Sequence, residues 1–88
     1  MILWDEEHSA GARITLERDG QIAPFAITCG IYGCMMHTRF FSVESEASGA
    51  YRLMKDALGS LLEIPENGSA VSRKLFMDGI AAFVEEYP

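Results

Sequence analysis

The sequence has few basic residues. Seven of its 88 residues are Lys or Arg and 13 are Asp or Glu, so the formal net charge is −6, and the basic residues are scattered, with only Arg73 and Lys74 adjacent. Nucleic-acid and anionic membrane surfaces are usually recognised by a basic patch, because contacts to phosphate supply most of the affinity. The composition therefore argues against both kinds of partner. We interpret the excess of acid as the charge that keeps the protein in solution.

Long apolar runs are also missing. No stretch of about 18 apolar residues occurs, so no membrane-spanning helix is expected. The chain becomes acidic directly after Trp4, whereas a secretory signal needs a positive start and a longer apolar run. We therefore expect a cytoplasmic protein. In that compartment its only two cysteines, Cys29 and Cys34, are expected to be reduced thiols rather than a disulfide.

The remaining composition is that of a globular protein. Apolar residues make up 49% of the chain and charged residues 23%, and the length predicts a single domain over residues 1–88. The hydrophobic core of so short a chain is only marginally sufficient, and many chains of this size gain stability from a second subunit. This is a first reason to expect a homodimer.

Two regions have the pattern of β-strands. Apolar and polar residues alternate strictly from Ala12 to Glu17, which is typical of a strand with one buried and one solvated face. The apolar stretch 25–43 is too long for one strand. Gly30 and Gly33 predict a reversal that divides it into two strands, with Gly33 in the left-handed region. Asp19 and Gly20 predict the turn that precedes this stretch.

The N-terminal segment is ambiguous. Residues 1–4 are either a short edge strand or a segment that packs Trp4 on the core. The residues that follow, Asp5 to His8, are interpreted as a solvated acidic terminus rather than a cation site, because adjacent side chains rarely converge on one ion.

Two amphipathic helices follow. Apolar residues recur at steps of three and four over roughly 44–63 and again over roughly 70–87, which predicts two helices. Ser42 or Ser45 is expected to cap the first and Ser69 the second. Ile64 and Pro65 are expected to end the first helix.

The order of these elements predicts an α+β fold. It is a small two-layer sandwich: an antiparallel meander of three strands, or four with the N-terminal segment, followed by two antiparallel helices on one face of the sheet (β-β-β-α-α).

The last predicted strand is apolar on both sides. Phe40 and Phe41 must point to opposite faces, because neighbouring residues of a strand alternate. A sheet with helices on one face and water on the other should have one polar face. We therefore predict a homodimer that buries the second sheet face or an edge. The predicted interface residues are Tyr32, Met35, Met36, Phe40 and Phe41. The alternative is a monomer in which Trp4 and the N-terminal segment cover one aromatic ring.

One cluster has residue types that bind zinc or attack substrates, namely Cys29, Cys34 and His37. Zinc needs about four converging ligands, but Cys34 and His37 would point to opposite faces of a regular strand. A cysteine–histidine nucleophile needs the thiol and imidazole within hydrogen-bond reach. The expected hairpin places Ile27 opposite His37 and Cys29 diagonal to it. We interpret both cysteines as small apolar groups.

The sequence thus favours a small cytoplasmic interaction or regulatory module without catalytic residues or a cofactor. The alternative function is a thiol- or zinc-dependent site at Cys29, Cys34 and His37. A third possibility is a small-molecule pocket between the sheet and the helices, although so small a domain has more room for one at a subunit interface.

Overall fold

The protein has four strands followed by two helices. The computed structural model describes residues 1–19, 23–63 and 69–88. The elements are β1 (Ile2–His8), β2 (Ala12–Arg18), β3 (Phe25–Ile31), β4 (Met35–Phe41), α1 (Glu44–Leu62) and α2 (Ala70–Glu86). The strands form one antiparallel meander in the order β1-β2-β3-β4, and both helices pack on one face of it. The predicted α+β fold is confirmed, with four strands rather than three. The turn predicted at Gly20 and the helix end predicted at Ile64 and Pro65 lie outside the described residues.

Strand β1 is longer than the short N-terminal strand expected from the sequence. It pairs with β2 from Ile2 opposite Glu17 to His8 opposite Ala12, with an irregularity between Ile2 and Trp4. The acidic residues interpreted as a solvated terminus therefore belong to the sheet. Trp4 points to the helix side, where its ring centroid lies 5.2 Å from that of Tyr51. The expected edge strand is confirmed, whereas Trp4 contacts the Tyr51 ring but stays 44% exposed and is not part of the core.

The pairing of β3 with β4 is shifted by two residues from the expected register, because the turn is centred on Gly33 rather than on Tyr32. Ile31 pairs with Met35, so Cys29 lies opposite His37 and Ile27 lies opposite Arg39. The turn is later because Ile31 is buried and keeps its place in the strand, which leaves the reversal to the three residues after it. Gly33 has a φ of 78°, as predicted.

Both helices begin close to the positions expected from the sequence. Ser69 caps α2 as predicted, because its hydroxyl accepts the backbone N–H of Ser72 at 3.1 Å. Neither Ser42 nor Ser45 caps α1. The cap position is Val43, and no side chain caps the helix there. The strand backbone continues into the helix through that residue, which leaves Ser42 before the first turn and Ser45 within it.

The core lies between the helix-facing side of the sheet and α1. Its buried side chains are Ala12, Ile14, Leu16, Ile27, Cys29, Ile31, Ala47, Tyr51, Met54, Leu58, Leu61, Ile80 and Phe83. Strands β2 and β3 and helix α1 supply all but the last two of these. Helix α2 contributes only Ile80 and Phe83, both in its C-terminal half, whereas Val71 and Leu75 near its start are exposed. Neither helix is long and apolar enough to cross a membrane within the parts of the chain just given.

Candidate functional site

The face of the sheet that points away from the helices is the candidate functional site, and we call it the open face. Strand alternation and register define its members. They are Ile2, Asp5, Glu7, Arg13, Thr15, Glu17, Ala26, Thr28, Gly30, Met36, Thr38 and Phe40. The charged members lie on β1 and β2, and the large apolar members other than Ile2 lie on β4. The open face therefore has a polar half and an apolar half.

The polar half is held together by its own side chains. Arg13 donates to both carboxylate oxygens of Asp5, with Nε 2.8 Å from Oδ1, and the Thr15 hydroxyl donates to Oδ1 at 2.9 Å. The hydrogen bond from Arg13 is the main cause that lowers the pKa of Asp5 to about 2, and the bond from Thr15 adds to it. The Tyr32 hydroxyl reaches across from the β3–β4 turn and donates to Glu7 at 3.1 Å. These groups satisfy one another on the surface.

The apolar half is formed by Met36, Thr38 and Phe40, which we call the β4 strip. Met36 is 82% exposed and Phe40 is 50% exposed. Their partners on β3 are Gly30 and Ala26, which are too small to cover them. The strip lies on β4, which is an edge strand of the sheet. Two large apolar side chains therefore stand beside an unpaired strand edge.

A shallow groove of about 570 Å³ crosses the open face beside the strip. Gly30 forms its floor, Met36 and Tyr32 lie on its apolar side, and Arg13 and Thr15 line the polar side. A Cβ atom at Gly30 would lie 3.0 Å from the Met35 carbonyl oxygen, so a side chain there would crowd the β4 backbone. The lining offers Arg13 as its single charged group, and Asp5 already occupies that guanidinium. The groove suits an apolar side chain better than a charged substrate.

The five predicted interface residues fall on two sides of the sheet. Met36 and Phe40 lie on the open face, and Tyr32 is exposed in the turn. Met35 and Phe41 lie on the helix side, where both are half-buried and pack against the core. The sequence left open which of the two adjacent phenylalanines faces the core. The structure places Phe41 there and Phe40 outside.

The cysteine and histidine cluster is only partly brought together. Cys29 lies directly opposite His37 on the helix side, and Cys34 is exposed in the hairpin turn; both thiols are free. Cys29 is 1% exposed, and burial raises the pKa of its thiol to about 11. A nucleophile or a zinc ligand needs the thiolate instead. The imidazole Nε2 of His37 is hydrogen-bonded to the carbonyl oxygen of Tyr87.

Cys29, Cys34 and His37 do not form a metal site. Within residues 1–19, 23–63 and 69–88, no three His, Cys, Asp or Glu side chains are grouped closely enough to hold an ion. Cys29 and His37 form a pair without a third ligand in those ranges.

Glu6 ties the edge strand β1 to helix α1, a contact that the sequence interpretation missed. It accepts a hydrogen bond from the Tyr51 hydroxyl at 2.8 Å and forms an ion pair with Lys55. The hydrogen bonds from Lys55 and Tyr51 lower the pKa of Glu6. The sequence did contain a signal for this contact. Glu6 follows Trp4 by two residues, so the two side chains lie on the same face of the sheet if the segment is a strand.

Comparison with known proteins finds no relative: no family model matches the chain, and no curated protein or solved structure matches it either.

Proposed function

We propose that the protein is a small, non-catalytic interaction or regulatory module that acts as a homodimer through the apolar half of its open face. The observation that carries the proposal is the exposure of Met36 and Phe40 on a face that the helices leave uncovered. Fully burying a Phe or Met side chain is worth about 1.5–3 kcal/mol. Covering the β4 strip on both copies therefore contributes favourably to association.

The polar half of the open face supports the same assignment. Asp5, Arg13 and Thr15 already bond one another, and breaking those bonds on association would cost free energy. An interface formed by the apolar half leaves these hydrogen bonds intact and exposed to water. The two halves together favour an interface that is centred on β4 and ends at β2.

We place the module in the cytoplasm, with no nucleic-acid or membrane partner. Two free cysteines and a net charge of −6 support this placement, since disulfides are rare in reducing compartments and an acidic surface repels phosphate.

The alternative of a thiol- or zinc-dependent activity gains less support. Cys29 and His37 do lie side by side, but the thiol is buried with a raised pKa and the imidazole is engaged with Tyr87. Exposed Cys34 lies in the turn and not with this pair. The site lacks the activated thiolate that such chemistry requires.

The substitution Phe40→Ala tests the proposal. We expect the wild type to be a dimer at micromolar concentration and Phe40→Ala to dissociate roughly ten- to hundredfold more readily, as the lost burial of two half-exposed phenyl rings, one from each copy, implies. Light scattering during gel filtration, over a dilution series, measures the change.

Leu75→Ala is the matched control, because Leu75 is an apolar residue of similar exposure, 56%, on α2 rather than on the sheet. We expect it to leave the dimer unchanged. If Leu75→Ala weakened the dimer and Phe40→Ala did not, the interface would lie on the helices instead of on the open face. A wild type that stays monomeric at all concentrations would reject the homodimer.

A further inference from the structure

We infer that two copies join by pairing β4 with β4, antiparallel and about a two-fold axis at Thr38, so that two four-stranded sheets become one sheet of eight strands. This inference rests on the proposed homodimer and names the surface that forms it. Strand β4 is an edge strand, and none of the described residues forms a strand on its outer side.

The sequence of β4 is complementary to itself around Thr38. Its seven residues are two methionines, His37, Thr38, Arg39 and two phenylalanines, MMHTRFF. A two-fold axis through Thr38 places Met36 opposite Phe40 of the partner subunit and Met35 opposite Phe41 of the partner subunit. Each pair joins a thioether to an aromatic ring, a favourable contact. Two-fold symmetric interfaces require this kind of self-complementarity.

The open-face side of the joint would bury the β4 strip. Thr38 would meet its own copy across the axis, as it already meets Thr28 within the sheet, where the two hydroxyl oxygens are 3.4 Å apart. Met36 and Phe40 from both copies would form one apolar cluster at the centre of the large sheet. Cross-strand pairs of this kind are the unit by which sheets are stabilised.

The helix side of the joint brings His37 next to Arg39 of the partner subunit. Each of these residues is already hydrogen-bonded within its own chain, to the backbone carbonyl oxygen of residue 87 or 88. His37 is bonded to the Tyr87 carbonyl oxygen, and Arg39 Nε donates to the Pro88 carbonyl oxygen at 3.0 Å. The guanidinium also lies 5.0 Å from the Phe41 ring centre. These contacts hold both side chains on the helix side of the sheet.

The other edge of the sheet is unsuited to pairing with its own copy. Strand β1 carries three consecutive carboxylates, Asp5, Glu6 and Glu7, and its register with β2 is irregular between Ile2 and Trp4. Charges and bulges at an edge are the devices by which sheets avoid joining one another. Strand β4 has neither device on its open-face side. The contrast selects β4 as the joining edge.

A disulfide trap tests the pairing. In a Cys34→Ser background, Thr38→Cys places one thiol on each side of the two-fold axis. Directly opposed residues of antiparallel strands have Cα atoms about 4.5–5.5 Å apart, a separation that a disulfide spans. We expect this variant to form a covalent dimer under mild oxidation, seen by non-reducing electrophoresis and by intact mass.

Thr28→Cys in the same background is the matched control. It is the same substitution on the same face, directly opposite Thr38 on the next strand. In the paired sheet the two copies of residue 28 would lie about 14 Å apart, three strand spacings, so we expect no covalent dimer. Equal cross-linking of both variants would show random collision and overturn the pairing.

Native hydrogen exchange of the wild type gives a second measurement that needs no variant. We expect amides of Met35–Phe41 to exchange more slowly as the protein concentration rises through the dimerisation range, and amides of β1 to stay unchanged. A dimer by mass with neither the Thr38→Cys cross-link nor this protection would overturn the β4 pairing and leave the homodimer standing. A protein that is monomeric throughout would overturn both. Masses beyond the dimer would indicate head-to-tail joining of β4 to β1 and would also overturn the pairing.

Discussion

At the scale of single residues, the bonds around Asp5 predict a dependence of stability on pH. Arg13 and Thr15 lower the pKa of Asp5 from 3.8 to about 2 in the folded protein. A carboxyl whose pKa is lower when folded adds stability above its unfolded pKa, and that stability is lost as the pH falls through the folded pKa. We therefore expect this contribution to be complete above about pH 5 and to disappear between about pH 4 and 2.

The substitution Asp5→Asn isolates that effect. We expect a lower unfolding temperature than the wild type at pH 7 and a difference that narrows towards pH 2, followed by circular dichroism during heating. Glu17→Gln, which removes a carboxylate from the same open face, serves as the control for net charge. A difference that stays constant from pH 7 to pH 2 would contradict the assigned role of Asp5.

The two cysteines should differ in reactivity. Cys34 is exposed, whereas Cys29 is buried and has a pKa raised to about 11, so its thiolate is scarce at neutral pH. We expect iodoacetamide to modify one thiol quickly in the native protein and both in denaturant, with peptide mass spectrometry locating the modified residue. Rapid modification of native Cys29 would instead favour the thiol-dependent alternative.

At the scale of elements, the replacement of two glycines in helix α1, Gly49 and Gly59, is expected to stabilise the protein. A Cβ at Gly49 or Gly59 would meet no atom within 4 Å, so close packing against the sheet does not require glycine at either position. Gly in a helix interior costs about 0.5–1 kcal/mol relative to Ala. We expect Gly49→Ala and Gly59→Ala each to raise the free energy of unfolding by about that amount, measured in urea.

Gly33→Ala provides the contrast. Gly33 also has open space around it, but its φ of 78° is one that L-residues adopt at a cost of about 1–2 kcal/mol. We expect this variant to lower the free energy of unfolding. If all three substitutions acted in the same direction, the backbone argument would fail.

The sequence predicted the helices better than the strands. A helix has a long repeat, so the apolar residues of α1 and α2 define both elements with little error. Strand β1 was harder, since the acidic residues Asp5 to Glu7 resemble a solvated terminus. An edge strand accepts charge on both faces because ions from one side pair with the sheet and ions from the other with a helix. Glu6 with Lys55 and Asp5 with Arg13 show the two cases.

At the scale of the whole molecule, the fold class followed from the order of the elements, but the details of the site did not. The alternation of side chains along a strand places Phe40 and Phe41 on opposite faces of the sheet. It does not tell which of them faces the core, because both are phenylalanine. The choice depends on register and on the helices, which place Phe41 opposite Phe25 and against the core. The hairpin position, and with it the pairing of Cys29 with His37, depended on the burial of Ile31, a tertiary effect.

The acidic character of β1 has a consequence for the number of subunits. When two sheets join through β4, the outer edges of the resulting sheet are both β1, each with Asp5, Glu6 and Glu7 in sequence. A further copy would find no matching edge at either end, because like charges side by side in a sheet repel. Assembly would therefore stop at the dimer. A higher protein concentration would increase the fraction of protein that is dimeric and would not produce a fibre.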